Sequence, residues 1–156
     1  MLRRVIMTLA VLVMLPSVAS AAFTYYGPHM GFSQGPDQMV VGGQLQFNGV
    51  APRMAFVPGV DYGFSEANSV LTLNADFHVN LTYDTAWQPY VGAGVGVNAW
   101  SERNRDTGRD TQPGGQLILG AATYNRAGGR FFTEMKLGLG DAPEIRVLAG
   151  WNHRGR

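Results

Sequence analysis

The sequence has no cysteine, a single lysine (Lys136), and charged residues at only 15% of its 156 positions. The missing cysteines exclude a disulfide-stapled fold, so stability must come from another framework, such as a closed hydrogen-bonded sheet. The scarcity of charge removes the coat of a soluble domain, in which about a quarter of residues are charged. Long apolar runs are missing as well. The longest, Val5 to Leu15, holds about 11 residues, well short of the roughly 20 that a helix needs to span a bilayer.

That short run has its own context. Arg3 and Arg4 precede it, Pro16 breaks it, and the small residues Ser17 to Ala22 follow, with Ala19-Ser20-Ala21 fitting an A-x-A cleavage site. Residues 1–22 are therefore read as a signal peptide for export, cut after Ala21 or Ala22, and residues 23–156 as one barrel domain. Without the leader, ten basic residues face eleven acidic ones over about 134 residues. Near neutrality leaves no basic footprint for nucleic acid, and the length bounds the chain to one domain.

What the sequence does have is period-2 alternation. Over Val70 to Tyr83, Leu71, Leu73, Ala75, Phe77, Val79, Leu81 and Tyr83 interleave with Thr72, Asn74, Asp76, His78, Asn80 and Thr82, which is a strand pattern and not a helical one. Tyr90 to Trp100, Arg130 to Leu139 and Glu144 to Asn152 repeat it, with Leu148 out of phase in the last. Arg53 to Phe64 alternates but carries Pro58, which disturbs a ladder. Gln38 to Phe47, Gln116 to Tyr124 and Tyr25 to Ser33 alternate less cleanly. Turn-forming clusters separate all eight, from Gly35-Pro36-Asp37 through the long Ser101 to Gly115 to Gly140–Pro143. The expected fold is all-β, an eight-stranded antiparallel up-and-down transmembrane β-barrel.

The faces decide between water and lipid. A soluble barrel turns its apolar face inward and its charges out, whereas a membrane barrel does the reverse and fills its lumen with polar and small residues. The polar face here carries Gly, Asn, Thr, Gln and a few charges of both signs, a poor solvent surface and a good lumen. With the N-terminus in the periplasm, Tyr25, Tyr26, Phe47, Tyr83, Trp87, Tyr90, Tyr124, Phe131 and Trp151 fall at one interface, and Phe32, Phe64 and Trp100 at the other. The same topology puts Ser101 to Gly115 outside the cell, where such barrels keep their longer loops.

The stretch Gln88-Pro89-Tyr90-Val91-Gly92-Ala93-Gly94-Val95-Gly96 resembles the "PYVGAGVG" strand of the small outer-membrane barrel proteins, which include OmpX and the transmembrane part of OmpA-like proteins. Glu134 to Pro143 is similar to that family's penultimate strand and last turn. The resemblance implies a Gram-negative cell-envelope protein of the outer membrane, delivered by the barrel-assembly machinery. The chain departs from many relatives in ending Trp151-Asn152-His153-Arg154-Gly155-Arg156 instead of on an aromatic residue, and no residues remain for a periplasmic peptidoglycan-binding domain.

Several motifs invite chemistry. Asp106-Thr107-Gly108 matches the aspartic-protease triplet, but that site needs two copies, and this single one sits in a charged, hydrated stretch. Gly92, Gly94 and Gly96 lack the G-x-G-x-x-G spacing and a following helix; they are read as leaving room in a narrow lumen. His29, His78 and His153 are scattered and signal no metal site. Ser33, Ser65, Ser69 and Ser101 have no neighbouring histidine to activate a nucleophile. Neither catalytic, cofactor-binding nor metal residues are expected, and the chain is read as no enzyme.

The inward parity is expected to hold a charge network of Arg53, Asp61, Asp76, His78, Glu134, Lys136, Glu144 and Arg146, since buried charges persist only when paired. Arg103, Arg105 and Arg109 are expected to contact lipopolysaccharide phosphates. The expected role is a structural or surface-interaction one, as a monomer in outer-membrane lipid. A small transport or ligand-binding barrel and a lipid A-modifying enzyme stay open as alternatives.

Overall fold

The computed structural model describes residues 22–35, 37–66, 68–102, 110–140 and 142–155. The leader expected in 1–22 lies outside these except for Ala22, as do the Asp106 triplet, Arg103, Arg105 and Arg109. Eight strands follow in chain order: β1 (Ala22–Gln34), β2 (Gln38–Ala51), β3 (Met54–Phe64), β4 (Asn68–Asn80), β5 (Gln88–Glu102), β6 (Asp110–Tyr124), β7 (Arg130–Gly140) and β8 (Ile145–Arg154). Each pairs antiparallel with the next. The sheet closes by pairing β1 with β8, from Tyr25 opposite Arg154 to Gln34 opposite Ile145. Both ends of the described chain lie at one end of the barrel, here called proximal; the other end is distal.

Alternation sets which face is which. In β4, Thr72, Asn74, Asp76 and His78 are buried in the lumen while Leu71 and Leu73 stand on the outside. Closing the sheet leaves no open edge strand, so an apolar exterior carries no penalty of unpaired edges in lipid. The exterior is apolar along the whole wall: Met30, Met39, Leu73, Val95, Leu117, Leu139 and Val147 are all exposed, Leu73 at 58% and Val95 at 65%. A continuous apolar surface of this kind is far beyond the isolated patches of soluble monomers.

Four expectations shift. The connection read over Ser101 to Gly115 is shorter, because Asp110 to Gly115 pairs with Trp100 to Val95; glycines and Pro113 hide its alternation in the sequence. β4 ends at Asn80, leaving Tyr83 in the following turn. Arg53 precedes β3 and occupies the β2–β3 turn with a positive φ of 64°, because the hairpin reverses there. Glu144 precedes β8 and is exposed. Pro58 sits on the outer face opposite a gap in the β2 ladder, which runs from Gln44–Gly59 and resumes at Phe47–Phe56.

Candidate functional site: the lumen

Inward positions from seven strands converge on one connected chain of polar contacts. His29 (β1) meets Asp61 Oδ1 (β3) through Nε2 at 2.6 Å, and Asp61 Oδ2 accepts from Arg146 Nη1 (β8) at 3.0 Å and Asn74 Nδ2 (β4) at 2.6 Å. Arg146 Nη2 donates to Gln116 Oε1 (β6), and Gln116 Nε2 donates to Asp76 Oδ1 (β4) at 2.5 Å. Lys136 Nζ (β7) then reaches Asp76 Oδ2 at 2.8 Å and Glu134 Oε1 at 3.3 Å, and Tyr90 (β5) donates its hydroxyl proton to Glu134 Oε2 at 2.8 Å. Two cations and three carboxylates are shared along this path, so each of these buried charges has at least one partner. Lys136 and Arg146 face one another across the β7–β8 ladder; their repulsion is relieved because the two heads diverge, one to Asp76 and one to Asp61.

Glycine makes these reaches geometrically accessible. Gly42 stands in register between His29 and Asp61, Gly94 between Asp76 and Gln116, and Gly120 between Tyr90 and Glu134. Each bond therefore spans two inter-strand spacings, roughly 9 to 10 Å of sheet, by passing over a strand with no side chain. A Cβ at Gly42 would overlap Asp61 and His29, one at Gly94 would overlap Asp76, and one at Gly120 would overlap the Tyr90 ring.

Toward the proximal end, planar groups stack across the lumen. The His78 ring lies on Tyr90 with centroids 4.8 Å apart, the Arg130 guanidinium lies 5.3 Å from the Tyr90 centroid and 5.1 Å from that of Phe132, and His29 meets Phe132 edge-on at 6.3 Å over Gly150. Ile118 and Ala122 pack with Tyr90 and Phe132. Arg130 adds a third buried cation, balancing the three carboxylates. Its position over two ring faces gives it electrostatic stabilisation that does not require a carboxylate.

Of the residues expected in the network, Asp61, Asp76, His78, Glu134, Lys136 and Arg146 are brought together in the lumen. Arg53 and Glu144 are not: Arg53 is exposed at the proximal rim, where its Nη1 donates to Leu81 O at 3.3 Å, and Glu144 is exposed at the distal one. Tyr90, expected at an interface, is buried in the lumen because it shares the parity of Gly92, Gly94 and Gly96. Tyr25, Tyr124 and Trp100 also lie on inward parity. Outside the expected charge network but present in the lumen are His29, Gln116, Asn74, Arg130 and Phe132, of which Asn74 already stood on the polar face of the β4 alternation. Their inward parity was the available signal, but Arg130 sits at a strand's first residue and Phe132 is apolar. Ser33 is buried in the lumen, while Ser65, Ser69 and Ser101 line a distal surface pocket with Tyr62, Phe64 and Asn68.

No family model and no curated protein matches the chain. Solved structures do. Neisserial surface protein A is similar with a TM-score of 0.63 at 11% identity, over 85% of this chain and 95% of that one. The N-terminal β-barrel domain of Pseudomonas aeruginosa OprF is similar with a TM-score of 0.61 at 15% identity, over 87% of this chain and all of that one. The de novo designed protein TMB2.3 gives 0.58 at 14%, over 88% and 98%. At these identities the likeness is one of fold: a closed, eight-stranded, antiparallel barrel.

Proposed function

We propose that this protein is a non-enzymatic barrel of the outer membrane, of the small OmpX-like or OmpA-like kind, with a structural or surface-interaction role and a lumen that conducts little or nothing. The observation that carries this reading is the single chain of hydrogen bonds and ion pairs that crosses the interior on residues of seven strands. Eight strands enclose only enough space for side chains, and here those side chains are cross-linked. The exposed apolar wall supports residence in lipid, and two of the similar structures are outer-membrane barrels.

Reconstitution in planar bilayers tests it. The folded barrel should show no conductance or very small events, whereas sustained large channels would sink the plugged-lumen reading. Fractionation with heat-modifiable gel mobility tests location and closure together: the unheated protein should run as a compact band from the outer-membrane fraction.

A further inference from the structure

The two ends of the barrel differ in charge. At the proximal end, Arg53, Arg126 and Arg154 are exposed, with His153 beside them and Asp84 the acid. At the distal end, the exposed charged side chains among the described residues are Asp37, Glu66 and Glu144. Arg53 lies in the β2–β3 turn and Arg126 in the β6–β7 turn, four strands apart in a ring of eight and therefore diametrically opposed. Arg154 ends β8, with its side chain against Gly128 of the turn that carries Arg126. A small soluble anion needs cations that converge, and Arg53 stands across the barrel mouth from the other two.

The same end carries rings on its outer face. Phe47, Phe56 and Phe77 contact in series across β2, β3 and β4, at 6.3 and 5.1 Å between centroids. Trp87, Phe131 and Trp151 form a second series at 6.0 and 6.3 Å, and Tyr26 lies 6.0 Å from His153. Such rings settle at the glycerol level of a leaflet, which places turn-tip arginines at the depth of the phosphates.

We propose that the proximal rim is a docking surface for anionic phospholipid headgroups, so that the barrel prefers a leaflet rich in negatively charged phosphodiesters on that side. The partner that fits is one that surrounds the barrel. Guanidinium forks pair with phosphate oxygens, while the exposed charged side chains described at the distal rim are all carboxylates. This inference rests on the membrane-barrel reading.

The test compares the barrel in nanodiscs of phosphatidylcholine alone and doped with phosphatidylglycerol, following urea unfolding by heat-modifiable mobility. Phosphatidylglycerol should displace the equilibrium toward the folded barrel by roughly fivefold for each of the three arginines, and high salt should erode the effect. Arg53→Gln/Arg126→Gln/Arg154→Gln should remove most of the preference, and the corresponding lysine variants should restore most of it. If the triple glutamine variant does not fold in phosphatidylcholine, Arg126→Gln alone, in an exposed turn, should lose about a third of the effect on a logarithmic scale. An inserted barrel indifferent to phosphatidylglycerol, or a preference unchanged in the glutamine variants, overturns the proposal. So does equal stabilisation by inorganic phosphate in phosphatidylcholine, which would assign the arginines to a free anion. A chain that fails to insert into either nanodisc overturns the membrane reading itself.

Discussion

The two faces of the barrel wall are written in different languages. Outside, any large apolar side chain serves, because lipid tails impose no partner; Leu71, Leu73, Val95 and Val97 are interchangeable in kind. Inside, each residue has a specific counterpart, often two strands away, and even the glycines are assigned. Alternation is thus sufficient for the outer face, whereas the inner one depends on identity, register and the order in which strands close.

The sharpest way to break this contrast is at Lys136, which serves both Asp76 and Glu134. Lys136→Met should cost about 3 to 5 kcal/mol, because it leaves two buried carboxylates without their shared cation. Adding Asp76→Asn and Glu134→Gln should recover much of that loss. Urea unfolding in micelles measures both; a single variant as stable as the parent would mean that the lumen is wet enough to solvate its charges.

On the outer face the corresponding insult is Leu73→Arg, a cation placed against hydrocarbon near the middle of β4. A loss of about 2 to 4 kcal/mol is expected in bilayers. Little or no loss on refolding into vesicles would mean that the apolar wall does not meet lipid.

The smallest effect comes from one methyl group added on either face. Gly94→Ala forces a Cβ into the Asp76–Gln116 contact and should cost about 1 to 3 kcal/mol. Gly115→Ala, which points outward with ordinary contacts to Leu139, should change stability by well under about 1 kcal/mol. Equal effects at the two positions would show that the lumen yields as readily as the lipid boundary.

This contrast also explains what was legible beforehand. The strand count, the antiparallel order and the outward set in β4 follow from parity, which is local. The contact of Asp61 with Arg146 joins residues 85 apart, and that of Asp76 with Lys136 joins residues 60 apart. Such pairings depend on strand stagger around a closed ring, which parity does not contain. Arg53 and Glu144 read as lumen residues because each opens an alternating run in the sequence; the reversal of the chain takes them out of it. Tyr90 and Phe132 run against the rule that apolar bulk faces lipid. They are accommodated because Gly120 and Gly150 open space beside them.

Closure by β1 and β8 has a kinetic consequence. The ladder from Tyr25–Arg154 to Gln34–Ile145 joins the first strand to the last, so its loop-closure entropy spans nearly the whole described chain. Until β8 arrives, β1 and β7 each present a bare edge, and Asp61 waits for Arg146. Zippering the final seam therefore completes the hydrogen-bonded ring and neutralises a carboxylate in the interior, which couples the two events into one cooperative step. Intermediates short of that step are the species most exposed to pairing with a foreign strand.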